Sequence, residues 1–105
     1  MIKQISSEEL KKRMDNDEPF VLVDCREQEE WNASHLPGAK FMPLSEFDEF
    51  YPQLKTDQDI VVYCHSGGRS MKACQFLLGN DYENLSNLQG GIMDWHRRGY
   101  DLVKD

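Results

Sequence analysis

Short apolar runs separated by polar segments dominate the chain. Residues 20–23 (Phe-Val-Leu-Val) and 60–63 (Ile-Val-Val-Tyr) are continuous apolar runs without polar alternation. They are too short for helices and are typical of strands that are buried on both faces. Segments at 39–41 and 85–88 predict two further short strands. The polar segments between these runs are long enough for helices, so we expect strands and helices to alternate.

The polar segments carry helix signals. Ser6 and Glu9 have the spacing of a capping box, which predicts a first helix that extends to about Asn16. Further helices are predicted over residues 26–34, 43–54, 70–78 and 91–99. Strands that alternate with helices predict an α/β fold with a small, mostly parallel sheet and helices on both faces. At 105 residues, we expect residues 1–105 to form a single domain.

Charge and hydropathy exclude several classes of partner. The 12 Lys and Arg residues against 19 Asp and Glu residues give a net charge of −7, which disfavours nucleic acid and anionic membrane surfaces. No apolar run approaches the roughly 18–20 residues of a membrane span, and the N-terminus lacks the apolar stretch of a signal peptide. We therefore expect a cytoplasmic protein with neither nucleic-acid nor membrane partners. We also expect it to be a monomer.

The chain has three cysteines: Cys25, Cys64 and Cys74. Their odd number and the absence of a Cys-x-x-Cys pair argue against a disulfide framework and against a structural zinc site. No metal is therefore expected. Cys25 ends a predicted buried strand and Cys74 lies inside a predicted helix, so we interpret both as small core residues. A redox role for either of them stays open.

Cys64 opens a glycine-containing loop between a buried strand and a helix. The adjacent Gly67 and Gly68 permit a tight turn, and successive backbone N–H groups in such a turn, with the following helix N-terminus, form an anion-binding nest. Arg69 adds a fixed positive charge. A thiol in this position is expected to have a pKa of roughly 3.5–7.5.

Ionisation alone does not explain such a loop. A fall in thiol pKa from about 8.5 to about 6.5 raises the thiolate fraction at pH 7 roughly 24-fold, but lower nucleophilicity cancels about 8-fold of that gain. The loop therefore matters more for holding an anionic donor or intermediate. Four residues separate Cys64 from Arg69, whereas cysteine phosphatases have five. The smaller ring favours a persulfide over a phosphoryl group.

Three sequence blocks together resemble a known family. They are Asp24-x-Arg26-Glu27-x-x-Glu30-Trp31 with His35-Leu36-Pro37-Gly38-Ala39, Cys64-x-x-Gly67-x-Arg69-Ser70, and Leu88-x-Gly90-Gly91 with Trp95 and Gly99. In this order and spacing the chain resembles a single-domain rhodanese, which is a sulfurtransferase. One departure is Ser34, where the family often has glycine, and it affects only the local turn.

The resemblance implies a rhodanese-like fold and a reaction. Cys64 would take sulfane sulfur from a small anionic donor such as thiosulfate and pass it, as a persulfide, to cyanide or to a thiol of a small molecule or protein. The residues that would bind the donor and the persulfide are His65, Ser66, Gly67, Gly68, Arg69 and Ser70. No cofactor is implied. Two alternatives remain: a persulfide carrier that serves one partner protein, and a Cys-dependent phosphatase or arsenate reductase on the same fold.

Several neighbouring residues are expected to be structural. We expect Arg26 to form an ion pair with Asp24 or Glu30, and His35 to fix a turn by hydrogen bonding. Gly90 and Gly91 should let the last loop approach the active-site loop. A further set has simple expected positions: His65 at the rim of the site, Trp95 in the core and His96 at a solvated helix end.

Overall fold

A parallel sheet forms the centre of the computed structural model, which describes residues 1–104. Its strands are β1 (Ile2–Ile5), β2 (Val21–Asp24), β3 (Lys40–Phe41), β4 (Ile60–Tyr63) and β5 (Leu85–Leu88). They lie in the order β1-β5-β4-β2-β3, and each neighbouring pair is parallel. This confirms the predicted α/β class.

The helices are α1 (Ser7–Asp15), α2 (Gln28–Ala33), α3 (Phe47–Phe50), α4 (Gly68–Leu78) and α5 (Gly91–Arg97). The predicted capping box is present at the start of α1, where the Glu9 backbone N–H donates to Ser6 Oγ at 3.1 Å and the Ser6 N–H donates to Glu9 Oε1 at 3.1 Å. These bonds satisfy two backbone N–H groups that a helix start would otherwise leave unpaired.

Two elements differ from the sequence prediction. Strand β1 was not predicted, and it pairs with β5 at the sheet edge. The single helix predicted over residues 43–54 is divided into the 3₁₀ turn Leu44–Glu46, the one-turn helix α3, and a second 3₁₀ turn, Tyr51–Gln53. Pro52 lies at the start of that second turn. Because proline has no backbone N–H and clashes with the preceding turn, it prevents a continuous α-helix here.

The sheet is covered on both faces. On β4, Ile60 and Val62 belong to the same core layer as Leu77 of α4. Val61 belongs to the opposite layer, together with Trp95 of α5. All five side chains are at most 1% exposed, and each such burial contributes roughly 1.5–3 kcal/mol relative to exposure. The predicted helices on both faces and the predicted core position of Trp95 are confirmed.

Strands β2 and β4 bring two cysteines to the same edge of the sheet. Asp24 and Tyr63 are register partners at the ends of these strands, and the backbone N–H of Cys25 donates to the Tyr63 carbonyl at 3.1 Å. Cys25 and Cys64 therefore follow side by side. Ligands of open α/β sheets bind beyond the carboxyl ends of the strands, so this edge is where a site is expected.

Candidate active site

The loop after β4 turns tightly into α4. Gly67 is the N-cap of that helix, with a φ of 115° that only glycine adopts at low cost. The helix begins at Gly68, two residues earlier than the sequence predicts, so its first turn lies directly beside Cys64. The backbone N–H of Gly67 donates to the Cys64 sulfur at 3.1 Å.

The Cys64 sulfur is buried yet supplied with donors. The residue is 1% exposed, and the Ser70 hydroxyl lies 3.3 Å from Sγ. Burial pushes the pKa of this thiol up, but the Ser70 hydroxyl and the backbone N–H groups of Ser70, Gly67 and Ser66 outweigh it and hold the pKa below its ordinary value. Hydrogen bonds to the charged form favour that form. The direction agrees with the prediction from the loop sequence.

Helix α5 closes the loop from the other side. The Ile92 N–H donates to the Cys64 carbonyl at 3.0 Å, and the Met93 N–H donates to the His65 carbonyl at 3.1 Å. Gly91, the first residue of α5, has a φ of +57°, and a Cβ there would overlap the carbonyl oxygens of Cys64 and His65. The close approach predicted for the glycine pair is confirmed, and Gly91 is the residue that requires it.

Arg69 is held by Glu30. Its guanidinium donates to both carboxylate oxygens at 2.7 and 2.8 Å, and about a third of each side chain is exposed. Hydrogen bonding to Arg69 lowers the pKa of Glu30 to about 2. Arg69 therefore enters the site as half of an ion pair with Glu30, a partner that was not predicted from the sequence.

Arg26 forms the predicted structural ion pair, and its partner is Asp24. The Arg26 backbone N–H donates to one carboxylate oxygen at 2.9 Å, and its guanidinium donates to the other at 2.8 Å. The Tyr63 hydroxyl donates to the same carboxylate at 2.6 Å. Asp24 is fully buried and Arg26 is 4% exposed, so this pair lies inside the protein. Glu30, the other candidate partner, is used by Arg69.

Two histidines occupy different environments. His65 is exposed and lines a surface pocket of about 310 Å³ together with Met93 and His96, which agrees with its expected place at the rim. His35 stacks on Trp31 with ring centroids 3.5 Å apart, and its Nδ1 lies 3.1 Å from the Trp31 carbonyl oxygen. The predicted structural role of His35 is confirmed.

The other two thiols lie in the core. Cys25 and Cys74 are 0% exposed. Burial raises the pKa of both, and that of Cys74 reaches about 12. All three cysteines are free. Within residues 1–104, no group of three or more His, Cys, Asp or Glu side chains is placed to hold a metal ion, and no helix there is long and apolar enough to cross a membrane.

One polar residue near the site was missed by the sequence analysis. Asn87 on β5 is 5% exposed and accepts a hydrogen bond from the Ser70 hydroxyl through Oδ1. A signal existed, because an amide inside a short strand that is otherwise buried needs a hydrogen-bond partner. Nothing in the sequence indicated that the partner of Asn87 would be Ser70.

Comparison with known proteins identifies the family. Residues 6–98 match the family described as a rhodanese-like domain. A sulfurtransferase of Allochromatium vinosum is 36% identical over 98% of this chain and 96% of its own length. A putative sulfur carrier protein of Bacillus subtilis is 34% identical over 90% of this chain, which spans only 51% of that protein.

Solved structures agree with this assignment. The solution structure of the rhodanese-like domain of an Anabaena protein matches with a TM-score of 0.90 and 29% identity, and covers 100% of this chain and 81% of its own. The loop that follows the central strand, the buried sulfur at its start and the match over 6–98 lead to one conclusion. This chain belongs to the rhodanese-like family of sulfurtransferases and sulfur carriers.

Proposed function

We propose that this protein is a sulfurtransferase that takes sulfane sulfur from thiosulfate and carries it as a persulfide on Cys64. One observation carries the proposal. Among the three cysteines, Cys64 alone combines a lowered thiol pKa with a position at the opening of a loop whose N–H groups point at the sulfur. Thiolates are the nucleophiles of cysteine chemistry.

The reaction has two displacement steps. The Cys64 thiolate attacks the outer sulfur of thiosulfate, the S–S bond of thiosulfate breaks, and sulfite leaves with the bonding electron pair. In the second step an acceptor thiolate or cyanide attacks the terminal sulfur, and the Cys64 thiolate is the leaving group. In each step one S–S bond breaks and one new bond forms, either S–S or, with cyanide, S–C. No external oxidant or reductant is therefore required.

The loop residues have separate roles in this proposal. The backbone N–H groups from His65 to Ser70, including those of Gly67 and Gly68, stabilise the negative persulfide. The side chains of His65 and Ser66 are exposed and meet the donor at the rim. Arg69 contributes positive potential, which is tempered by its pairing with Glu30.

Loop size argues against a phosphatase. A phosphoryl group has three equatorial oxygens that each need a donor at about 2.7–3.1 Å. Here only four residues separate Cys64 from Arg69, and the Gly67 N–H already donates to the Cys64 sulfur. A persulfide adds only one atom and needs fewer donors.

A second candidate function is a persulfide carrier for one partner protein; the Bacillus relative is named as a putative sulfur carrier. It uses the same Cys64 chemistry but turns over only when its partner accepts the sulfur.

As part of either function, we propose that residues 1–105 act as one monomeric domain in the cytoplasm. Reduced thiols are available there as acceptors.

Intact mass spectrometry tests the proposal. Incubation with thiosulfate should add one sulfur, about 32 Da, and cyanide should remove it as thiocyanate. Aryl phosphate hydrolysis is measured in parallel on the same protein. Phosphate turnover that exceeds thiosulfate turnover would overturn the sulfurtransferase proposal. Sulfur loading without cyanide turnover would favour the carrier.

A further inference from the structure

A chain of neutral polar side chains leads from the Cys64 sulfur to the surface. The Ser70 hydroxyl lies 3.3 Å from the sulfur and donates to Asn87 Oδ1. The amide of Asn87 donates to Gln4 Oε1 at 3.0 Å. Ser70 is fully buried and Asn87 is 5% exposed, while Gln4, on the edge strand β1, is exposed.

The Ser70 hydroxyl has two neighbours and one proton. A hydroxyl donates once and accepts through two lone pairs. When its proton goes to Asn87 Oδ1, the Cys64 thiol can donate its own proton to Ser70 Oγ, and this arrangement suits the neutral thiol. A thiolate has no proton to donate and is stabilised by accepting hydrogen bonds. The Ser70 proton must then turn toward the sulfur, which leaves Ser70 Oγ facing the amide oxygen of Asn87.

Rotation of the two amides resolves that conflict. If the Asn87 amide turns by 180°, its N–H groups donate to Ser70 Oγ, and its oxygen faces Gln4. Gln4 must then turn as well and present its own N–H groups. The cost is small, because Gln4 is exposed and loses only a weak 3.6 Å contact to the Met71 sulfur.

We propose that Asn87 and Gln4 are positioning residues that set the direction of the Ser70 proton, and that their paired rotation lets one loop serve both the thiol and the anionic sulfur of Cys64. They act through Ser70 and do not touch the substrate. The inference rests on the proposed function only in taking Cys64 as the reactive sulfur.

The charged groups around Cys64 do not include the hydrogen-bonded residues Ser70, Asn87 and Gln4. The titratable and charged groups that face the sulfur are Cys25 at the end of β2, Cys74 and Arg69 on α4, Glu30 on α2 through its pairing with Arg69, and the neighbouring His65. Gln4 and Asn87 carry no charge. Substitutions at Gln4 therefore alter the direction of hydrogen bonding without removing any of these charges.

The test measures the pH at which Cys64 becomes reactive. Alkylation of Cys64 by iodoacetamide, mapped by peptide mass, is followed against pH for each variant. In Gln4→Glu, the carboxylate only accepts, so it holds the Asn87 N–H groups toward itself and the amide oxygen toward Ser70. The midpoint of the alkylation profile should rise by about one pH unit. Because the altered side chain is exposed, the variant should fold.

Lys3→Gln is the matched control, because it makes the same −1 change in charge at the neighbouring residue of β1. It should move the midpoint by less than about 0.3 pH units, since surface charge is screened by salt. A double-mutant cycle then tests the route: in an Asn87→Leu background, Gln4→Glu should have no more effect than Lys3→Gln.

Two results would overturn the inference. One is a midpoint in Gln4→Glu no higher than in Lys3→Gln. The other is a shift that persists in the Asn87→Leu background, because it would then act through space. If Asn87→Leu does not fold, the comparison with Lys3→Gln still decides. Alkylation needs no sulfur donor, so a failure of thiosulfate loading would refute the proposed function without touching this result.

Discussion

The ends of β2 and β4 are neighbours in the sheet, but the cysteine thiols that follow them differ in acidity. Each strand ends next to a buried cysteine, Cys25 or Cys64, at most 1% exposed. At Cys25 burial dominates and raises the pKa of the thiol. At Cys64 the hydrogen bonds of the loop outweigh burial and lower it. Exposure therefore does not distinguish the two sulfurs; the donors around them do.

The ion pairs beside the two cysteines differ in the same way. Asp24 and Arg26 at the end of β2 are buried, and the Tyr63 hydroxyl completes their network. Glu30 and Arg69 beside the Cys64 loop each remain about one-third exposed. The first pair lies inside the protein, where Asp24 and Arg26 neutralise each other. The second leaves the Arg69 guanidinium partly exposed to solvent.

The largest expected effect is at Cys64 itself. Cys64→Ser should abolish the gain of about 32 Da after thiosulfate treatment, because a serine hydroxyl forms no persulfide. Cys25→Ala is the matched control from the neighbouring strand and should keep the full gain, as should Cys74→Ala. Sulfur that maps to Cys25 or Cys74 in the native protein would reverse the comparison.

Asp24→Asn should have the next largest effect, on stability. It leaves the buried Arg26 guanidinium without its counter-charge, and breaking a buried ion pair costs about 3–5 kcal/mol. Urea unfolding at neutral pH measures the loss. Asp59→Asn breaks the partly exposed pair with Arg13 and should cost about 1 kcal/mol or less. Equal losses in the two variants would show that burial of the Asp24 pair is unimportant.

Arg69→Ala should lower kcat/KM for thiosulfate more than tenfold, about 1.4 kcal/mol or more. The variant removes positive potential and leaves the Glu30 carboxylate unpaired beside an anionic donor. Arg69→Lys should recover only part of the rate, because a lysine lacks the planar fork that pairs with Glu30.

A charge-matched control for this variant is Arg97→Ala on α5, where the arginine side chain is 73% exposed. It should leave the kinetics unchanged. If Arg69→Ala behaves like Arg97→Ala, Arg69 has no part in donor binding.

The parts of the fold and of the site whose signals are local in sequence could be predicted. The capping box at Ser6, the apolar runs of β2 and β4, and the loop that begins at Cys64 each carry their signal within a few residues. Strand β1 carries no such signal, because Ile2–Ile5 becomes a strand only through pairing with β5. Its partner is about 80 residues away in sequence.

The partners of charged and polar groups were harder to predict for the same reason. Glu30 lies four residues from Arg26, so sequence proximity made it a candidate partner of Arg26. The fold instead pairs it with Arg69, 39 residues away. Asn87 meets Ser70 only because α4, which carries Ser70, packs against β5. Motif spacing shows which groups a site contains, but the fold decides which of them neutralise one another.

The smallest expected effect is that of Glu30→Gln on stability, and its pH dependence gives it a sign. The pKa of Glu30 is about 2 in the folded protein, against an ordinary value of 4.5. A carboxylate with a depressed folded pKa contributes stability above its unfolded pKa and loses it as the pH falls through the folded one. The free energy of unfolding of the native protein should therefore exceed that of the variant by about 1 kcal/mol or less at pH 7. That difference should shrink between pH 4.5 and pH 2. Urea unfolding of both proteins across this range isolates Glu30 from the other carboxylates, since they titrate alike in the two chains. A difference that stays constant or grows on acidification would mean that the Arg69 pair does not stabilise the folded state through its charge.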